Sequence, residues 1–345
     1  MKLKYTEQLM TDELAKGTFG DYALLVYKGG DETFISSENV DKDTYFDIAS
    51  MGKVLITSAL ILRAAGEGRL SLDDTLDKFF ADVPDDRNKI TVRQLLTHTS
   101  GIVRFELPDE AAGYTREQQA KLIIANPLKY APGSDYVYSC NGYILLGFIA
   151  EIVYGDMLDK LYFRYIKPSL GLTRSTFNIA GDEPNAVISY SRREMGEYRA
   201  DDRNVRILRG VAGNGASFWT AADIRRYIDS VFAKDGKLYA PELHAESELN
   251  YTPNFSEGRG LGYLYVTETY KQTGRLFPVG SFGHCGHTGT SFFMNRELDM
   301  FVILLTNTTR YSNIRSGFKG YDYGDTMRMR ERVHNAIADD LFGKA

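Results

Sequence analysis

Apolar and polar positions alternate with two different periods along this chain, and the change of period divides it. Near the N-terminus Tyr22-Ala23-Leu24-Leu25-Val26-Tyr27 is apolar and rich in strand-forming side chains. Lys28-Gly29-Gly30-Asp31 then supplies turn residues and Thr33-Phe34-Ile35 resumes an extended pattern, which predicts a hairpin. Tyr45 to Ile48 reads as one more short strand, and a helix opening at Ser50 runs to Gly66 or Gly68. From about residue 70 to 205 the spacing turns helical between Pro- and Gly-containing loops: Thr91 to Thr97, Arg116 to Ala125, Gly142 to Val153 and Met157 to Ile166. In Thr220 to Phe232, Ala221, Ile224, Tyr227, Ile228 and Val231 fall on one side of a helix. Gly262 to Thr267, Phe282 to Gly286, Ser291 to Met294 and Met300 to Thr306 return to short strands, and Met327 to Leu341 closes the chain as a helix.

Strands at both ends with helices between them predict an α/β (α+β) fold: one antiparallel sheet built from both termini, flanked by helices, with a helical lobe inserted. The expected division is 1–65 together with 206–345 as the sheet lobe and 66–205 as the helical lobe, with a site in the cleft between them. The 345 residues, 43% hydrophobic and 25% charged, suffice for a substantial core. The 41 basic and 46 acidic residues are scattered and contain no basic block, so nucleic acid is not an expected partner. The longest apolar run, Val54 to Leu62, is broken by Thr57 and Ser58 and falls short of the about 20 residues that cross a bilayer. Polar residues follow Met1-Lys2-Leu3-Lys4, where a secretory signal needs an apolar stretch, so a cytoplasmic protein with no membrane partner is expected. Two cysteines, Cys140 and Cys285, are too few for a disulfide framework or a four-thiolate zinc site.

The chemistry begins at Ser50-Met51-Gly52-Lys53, where a hydroxyl and an amine three residues apart at a helix start share one face. A lysine can take a serine's proton only where burial or nearby positive charge favours its neutral form, and Ile48, Ala49, Val54 and Leu55 offer an apolar setting. The helix N-terminus also brings backbone N–H groups toward an oxyanion. Four residues of pattern occur by chance in many proteins. The order of further segments changes the picture.

Phe46 to Lys53, then Gly66-Glu67-Gly68-Arg69-Leu70-Ser71-Leu72-Asp73-Asp74, then Ile90-Thr91-Val92-Arg93-Gln94-Leu95-Leu96-Thr97-His98-Thr99-Ser100-Gly101 follow in the order seen in serine β-lactamases and penicillin-binding proteins. Over roughly residues 20 to 310 the chain resembles that superfamily, especially its class C-like esterases and peptidases. The resemblance implies a β-lactamase/transpeptidase-like fold, Ser50 as nucleophile, Lys53 as its activator and no cofactor or metal. Tyr130 to Gly147 resembles the tyrosine segment and its following helix, and implies that Tyr138 shuttles a proton between nucleophile and leaving group. Here the chain departs from the family, because Tyr-x-Asn would put asparagine at 140 and the sequence has Cys140, with Asn141 next. Aligning Ser139-Cys140-Asn141 with the Ser-x-Asn variant would make Ser139 the shuttle; the ungapped match of the following helix favours Tyr138. Loss of that amide weighs against β-lactams as substrates.

Phe282 to Ser291 resembles the strand on the opposite cleft wall, with His284 where class C enzymes carry the lysine of Lys-Thr-Gly. The resemblance implies that His284 polarises the tyrosine or, when protonated, holds a substrate carboxylate. It also implies that the backbone N–H groups of Ser50 and His287 form the oxyanion hole, and that Cys140, Asn141, Gly286 and Thr288 line the substrate. A register centred on His287-Thr288-Gly289 would move the second donor to Thr290. His98 reads as a hydrogen-bonded structural residue, and Gly213 to Thr220 as a glycine-rich turn that shapes the site, with Trp219 directed to the core. The expected activity is hydrolysis of an ester, small amide or peptide, with a small-molecule or short-peptide substrate as the partner. The rivals are a true β-lactamase or D-Ala-D-Ala carboxypeptidase, a cysteine hydrolase with Cys140 or Cys285 as nucleophile and His284 or His287 beside it, a metal hydrolase, and a non-catalytic ligand- or peptide-binding protein of the same fold.

Overall fold

The computed structural model describes residues 1–179, 183–187, 200–215, 217–308 and 323–344. Much of the loop Ile179 to Arg209 and Ala216 of the glycine-rich segment lie outside these described residues.

Strands far apart in sequence build one seven-stranded sheet in the order β2-β1-β10-β9-β8-β7-β6. Its strands are β1 (Tyr22–Lys28), β2 (Asp31–Ser36), β6 (Gly258–Arg259), β7 (Leu264–Tyr265), β8 (Phe282–Cys285), β9 (Ser291–Asn295) and β10 (Met300–Thr306). Every pairing is antiparallel, and the two ends of the chain meet in the middle, with Leu24 opposite Leu304 and Leu25 opposite Ile303. Strand periodicity explains why β1 and β10 are apolar almost without interruption, since both faces are covered. On one face Leu24, Val26, Val302 and Leu304 pack with Met10 of α1 (Lys4–Ala15) and with Met329, Val333 and Ile337 of the C-terminal helix Tyr323–Phe342. On the other Ala23, Leu25, Phe301, Ile303 and Leu305 join a larger core with the remaining helices.

The expected hairpin, the strands of the last hundred residues and the closing helix are all present. Among the features not expected are an N-terminal helix and a second sheet. The helix α1 buries Thr6, Met10 and Glu13, so its inner face is largely polar, with Thr6 bonded to Asp340 and Glu13 to Arg332. A three-stranded sheet, β4-β3-β5, pairs β3 (Tyr45–Asp47) with β4 (Ala186–Val187) and β5 (Phe218–Trp219), and grips the segment leading into Ser50. Trp219 is fully buried there, as expected.

The predicted helix after Ser50 is built in three parts: a 3-10 turn Ala49–Met51, a π-helical stretch Lys53–Ser58, and α2, Ala59–Gly66. Val54 to Leu62 is buried, so this apolar segment is a core helix. Beside it runs α5 (Cys140–Tyr154), apolar almost all round and buried from Asn141 to Ala150. Ser139 caps α5 by accepting from the N–H of Gly142 at 3.0 Å. Between α2 and α5 come α3 (Val92–Leu96) and α4 (Arg116–Ala125), each opened by a reciprocal capping box, Thr91 with Gln94 and Thr115 with Gln118.

Candidate active site

Asp47, the last residue of β3, turns the chain into the 3-10 turn. Its buried carboxylate accepts the N–H of Ala49 at 2.8 Å and that of Asp201 at 3.0 Å. Burial raises its pKa, and the nearby His287 opposes that rise. Ala49 then adopts φ +47°, a left-handed conformation that costs a residue with a side chain. That strain falls directly before Ser50.

Lys53 follows one turn later and is fully buried. Its Nζ donates to Ser50 Oγ at 2.9 Å and to the Asn214 carbonyl at 2.5 Å, and lies 3.5 Å from Cys140 Sγ. Among the described residues no carboxylate lies within ion-pair distance of it. The widened turns of the π-helical stretch are stitched to neighbours: Thr57 donates to the Gly213 carbonyl at 2.7 Å and Tyr227 Oη to that of Val54 at 3.3 Å. The carbonyl of Asn214 reaches the lysine because Gly215, at φ +125°, lets its loop touch the nucleophile segment. A Cβ there would stand 2.2 Å from the Ala49 oxygen.

Tyr138 lies over the amine, its ring centre 5.1 Å from Lys53 Nζ. Ser139 Oγ is engaged as the cap of α5, and the Ser139 N–H donates to His98 Nδ1 at 3.1 Å. The ring of His98 packs 4.5 Å from that of Tyr138, and its carbonyl accepts from Val137 N at 3.1 Å. His98 thus fixes residues 137 to 139 from behind, the structural part expected of it. Burial, followed by the charges of Arg259 and Lys53, keeps it well below the usual histidine pKa and so neutral.

The end of β8 closes the opposite wall. Gly286 packs on the nucleophile segment so tightly that a Cβ would meet the Ile48 oxygen at 2.6 Å. Thr288 Oγ1 donates to the Asp47 carbonyl at 2.8 Å and Thr290 Oγ1 to that of Ile48 at 3.3 Å, which sets the Gly286–Thr290 turn beside Ser50. His287 reaches back to Asp201, 3.1 Å from its carboxylate, and remains 38% exposed. Burial works against its charge, yet the carboxylates of Asp201, Asp47 and Asp202 outweigh that and hold its pKa above the ordinary value.

Three of the expected site residues are engaged by other parts of the protein. His284 is 2% exposed, with Nδ1 donating to the Cys285 carbonyl at 2.8 Å and Nε2 turned to Arg259 at 3.5 Å. Burial and then the charges of Arg259 and Lys53 push its pKa well down, which favours the neutral ring over the protonated form expected to hold a carboxylate. Asn141 is fully buried, and its Nδ2 donates to the Phe105 carbonyl at 3.1 Å and so ties down a loop. Thr288, 1% exposed, spends its hydroxyl on the Asp47 carbonyl. Cys140 and Gly286 stay at the site. Arg259 and the Asn214 carbonyl were not foreseen: a backbone oxygen has no sequence signature, and Glu257-Gly258-Arg259-Gly260 reads as a turn.

A serine held to a buried amine at a strained helix entrance, between a sheet edge and a tyrosine-bearing helix start, is the arrangement of the active-site serine hydrolases of β-lactamase type. The sequence profile of the beta-lactamase family matches residues 6–316, and the chain belongs to that family. A protein of Escherichia coli O157:H7 carrying the provisional name D-alanyl-D-alanine carboxypeptidase is 28% identical over 302 residues, 76% of this chain and 69% of its own length. The octameric penicillin-binding protein homologue of Pyrococcus abyssi superposes with a TM-score of 0.72 at 22% identity, covering 92% of this chain and 78% of that one. EstCE1, described as a hydrolase with promiscuous acyltransferase activity, gives 0.72 at 21% identity over 96% and 98%. The protein is a β-lactamase-like serine hydrolase.

Proposed function

We propose that the protein hydrolyses carboxylic esters or small amides and peptides through an acyl-enzyme on Ser50. The observation that carries this reading is the 2.9 Å contact between Lys53 Nζ and Ser50 Oγ, made by an amine that is fully buried and has no carboxylate partner among the described residues. Along this contact a neutral amine accepts the serine proton. Tyr138, over the amine, passes the proton on to the leaving group. The N–H groups of Ser50 and His287 receive the oxyanion, which the seating of the Gly286–Thr290 turn against residues 47 to 49 supports. Water then attacks the acyl-enzyme by the reverse proton path.

Substrate preference follows from position 140. A thiol there offers little to an amide carbonyl, and Asn141 is committed to Phe105, so esters are favoured over β-lactams. The hydrolase and promiscuous acyltransferase activity named for EstCE1 is compatible with acyl transfer on this fold, whereas the name of the E. coli relative favours a peptide ending in D-alanine. Intact mass spectrometry after a fluorophosphonate probe tests the nucleophile: one adduct, mapped to Ser50 and absent in Ser50→Ala, is expected. No adduct, or one on another residue, contradicts the reading. Steady-state rates on p-nitrophenyl esters, D-alanyl dipeptides and benzylpenicillin then rank the substrates, and faster turnover of the penicillin would overturn the ester preference.

A further inference from the structure

Among the buried charges that the mechanism above leaves unused is Arg259. Arg259 sits on β6, at the edge of the large sheet, and is 3% exposed. Its Nη2 donates to Tyr136 Oη at 2.9 Å and to the Glu257 carboxylate, and its Nη1 stands 3.5 Å from His284 Nε2. Its guanidinium carbon lies 5.3 Å from the ring centre of Tyr138, while Lys53 Nζ lies 5.1 Å from the same centre. Two cations from different elements therefore bracket one phenol.

The other titratable groups seen near Tyr138 among the described residues differ from these two cations. His98, from the loop after α3, and His284, from β8, are both held neutral by burial and by these two cations. Tyr143 on α5 is pushed up to about 12 by burial and stays protonated. Cys140 touches Lys53, and Tyr136 is held protonated by burial. Glu257, a carboxylate of the cluster, is engaged by Arg259 Nη2 and by Tyr136 Oη.

We propose that Arg259 is a positioning residue of this active site: it sets a permanent positive charge against the face of Tyr138 and, through Nη1, holds His284 in the tautomer whose Nε2 accepts. The cation on this wall of the cleft thus comes from β6, with His284 as a neutral spacer in the segment where related enzymes carry a lysine. The inference rests on the reading of Tyr138 as the proton shuttle. A guanidinium does not titrate in the working range, so it favours the phenolate at every pH at which the enzyme is folded.

The test is the pH dependence of kcat and kcat/KM on p-nitrophenyl butyrate for the wild type, Arg259→Met and Arg259→Lys, with thermal melts and fluorophosphonate labelling alongside. An opposite charge at this range shifts a titration by about one unit or more, so Arg259→Met should move the rising limb alkaline by that amount. At neutral pH that shift lowers kcat roughly tenfold, with little change in KM. Arg259→Lys should recover most of the shift. An unmoved limb in Arg259→Met, or a lysine variant shifted as far as the methionine one, overturns the proposal and leaves Arg259 a structural residue. Should Arg259→Met fail to fold, Glu257→Gln serves in its place: removing the cluster's negative charge should move the limb in the acid direction, and a limb that stays or moves alkaline refutes it. Failure of the underlying reading looks different, because Ser50 would then go unlabelled in the wild type or Tyr138→Phe would keep full activity.

Discussion

Replacing Lys53 by methionine removes the amine while keeping an unbranched side chain of similar length in a fully buried slot. Its loss leaves the Asn214 carbonyl without its 2.5 Å donor, which costs about 1–3 kcal/mol for a buried acceptor. Against that, the interior no longer holds a polar amine without a carboxylate partner among the described residues, and exchanging a buried polar or ionic group for apolar volume is often neutral or stabilising by about 1–4 kcal/mol. The two nearly cancel, so the midpoint of urea unfolding should move little in either direction. The effect on chemistry does not cancel. A positioned proton acceptor contributes about 10²–10⁴ in rate, equivalent to roughly 3–5 kcal/mol of barrier. Lys53→Met should therefore lose kcat/KM on p-nitrophenyl butyrate by about that factor while remaining folded, as circular dichroism through a urea titration will show. A folded variant that keeps more than about a tenth of wild-type activity would refute the role given to Lys53.

Four of the five histidines, His98, His244, His284 and His334, are held below their ordinary pKa, chiefly by burial, and His244 and His334 are pushed down to about 4. The unfolded chain then binds more protons below about pH 6.5, so stability present above that pH should fall by about 1.4 kcal/mol per unit per histidine as the pH drops. Chemical denaturation from pH 7 to pH 4.5 reads the slope, and a flat profile contradicts it. His287 behaves oppositely: its raised pKa gives a contribution fully present below about pH 6.5 and lost as pH climbs through the raised value. His287→Gln should flatten the fall in melting temperature above neutrality, and an unchanged fall would sink the claim. Gly215→Ala must place a Cβ 2.2 Å from the Ala49 oxygen at φ +125°, so labelling of Ser50 should slow at least about tenfold, and wild-type labelling would refute that coupling. Cys140→Asn should raise the ratio of amide to ester turnover by supplying an amide beside Lys53, and an unchanged ratio would remove position 140 from substrate choice.

What the sequence revealed and what it hid follow from where the signals lie. The β1–β2 hairpin, the buried helix after Ser50 and the closing strands carry their periodicity locally, and all stand as expected. The N-terminal helix was missed because its buried face presents Thr6 and Glu13, whose partners Asp340 and Arg332 lie over three hundred residues away. The choice between Tyr138 and Ser139 stayed open in the sequence because both precede the same helix. In the structure Ser139 is the cap of α5 and Tyr138 faces the lysine. The surroundings of His284 were hidden for the same reason: a histidine's charge depends on neighbours, and Arg259 approaches it from a two-residue strand that no periodicity marks. Asn141 and Thr288 looked like substrate ligands because the motifs contain them, yet their partners are main-chain carbonyls at residues 105 and 47.

The most direct test of the central claim is to catch the intermediate itself. Mixing the enzyme with excess p-nitrophenyl acetate, quenching in acid within the first turnovers and measuring intact mass should show one added acetyl group. Peptide mapping should place it on Ser50, and Ser50→Ala should show none. Turnover of the ester with no acylated protein, or with acetyl on Cys140 or another residue, would contradict the account.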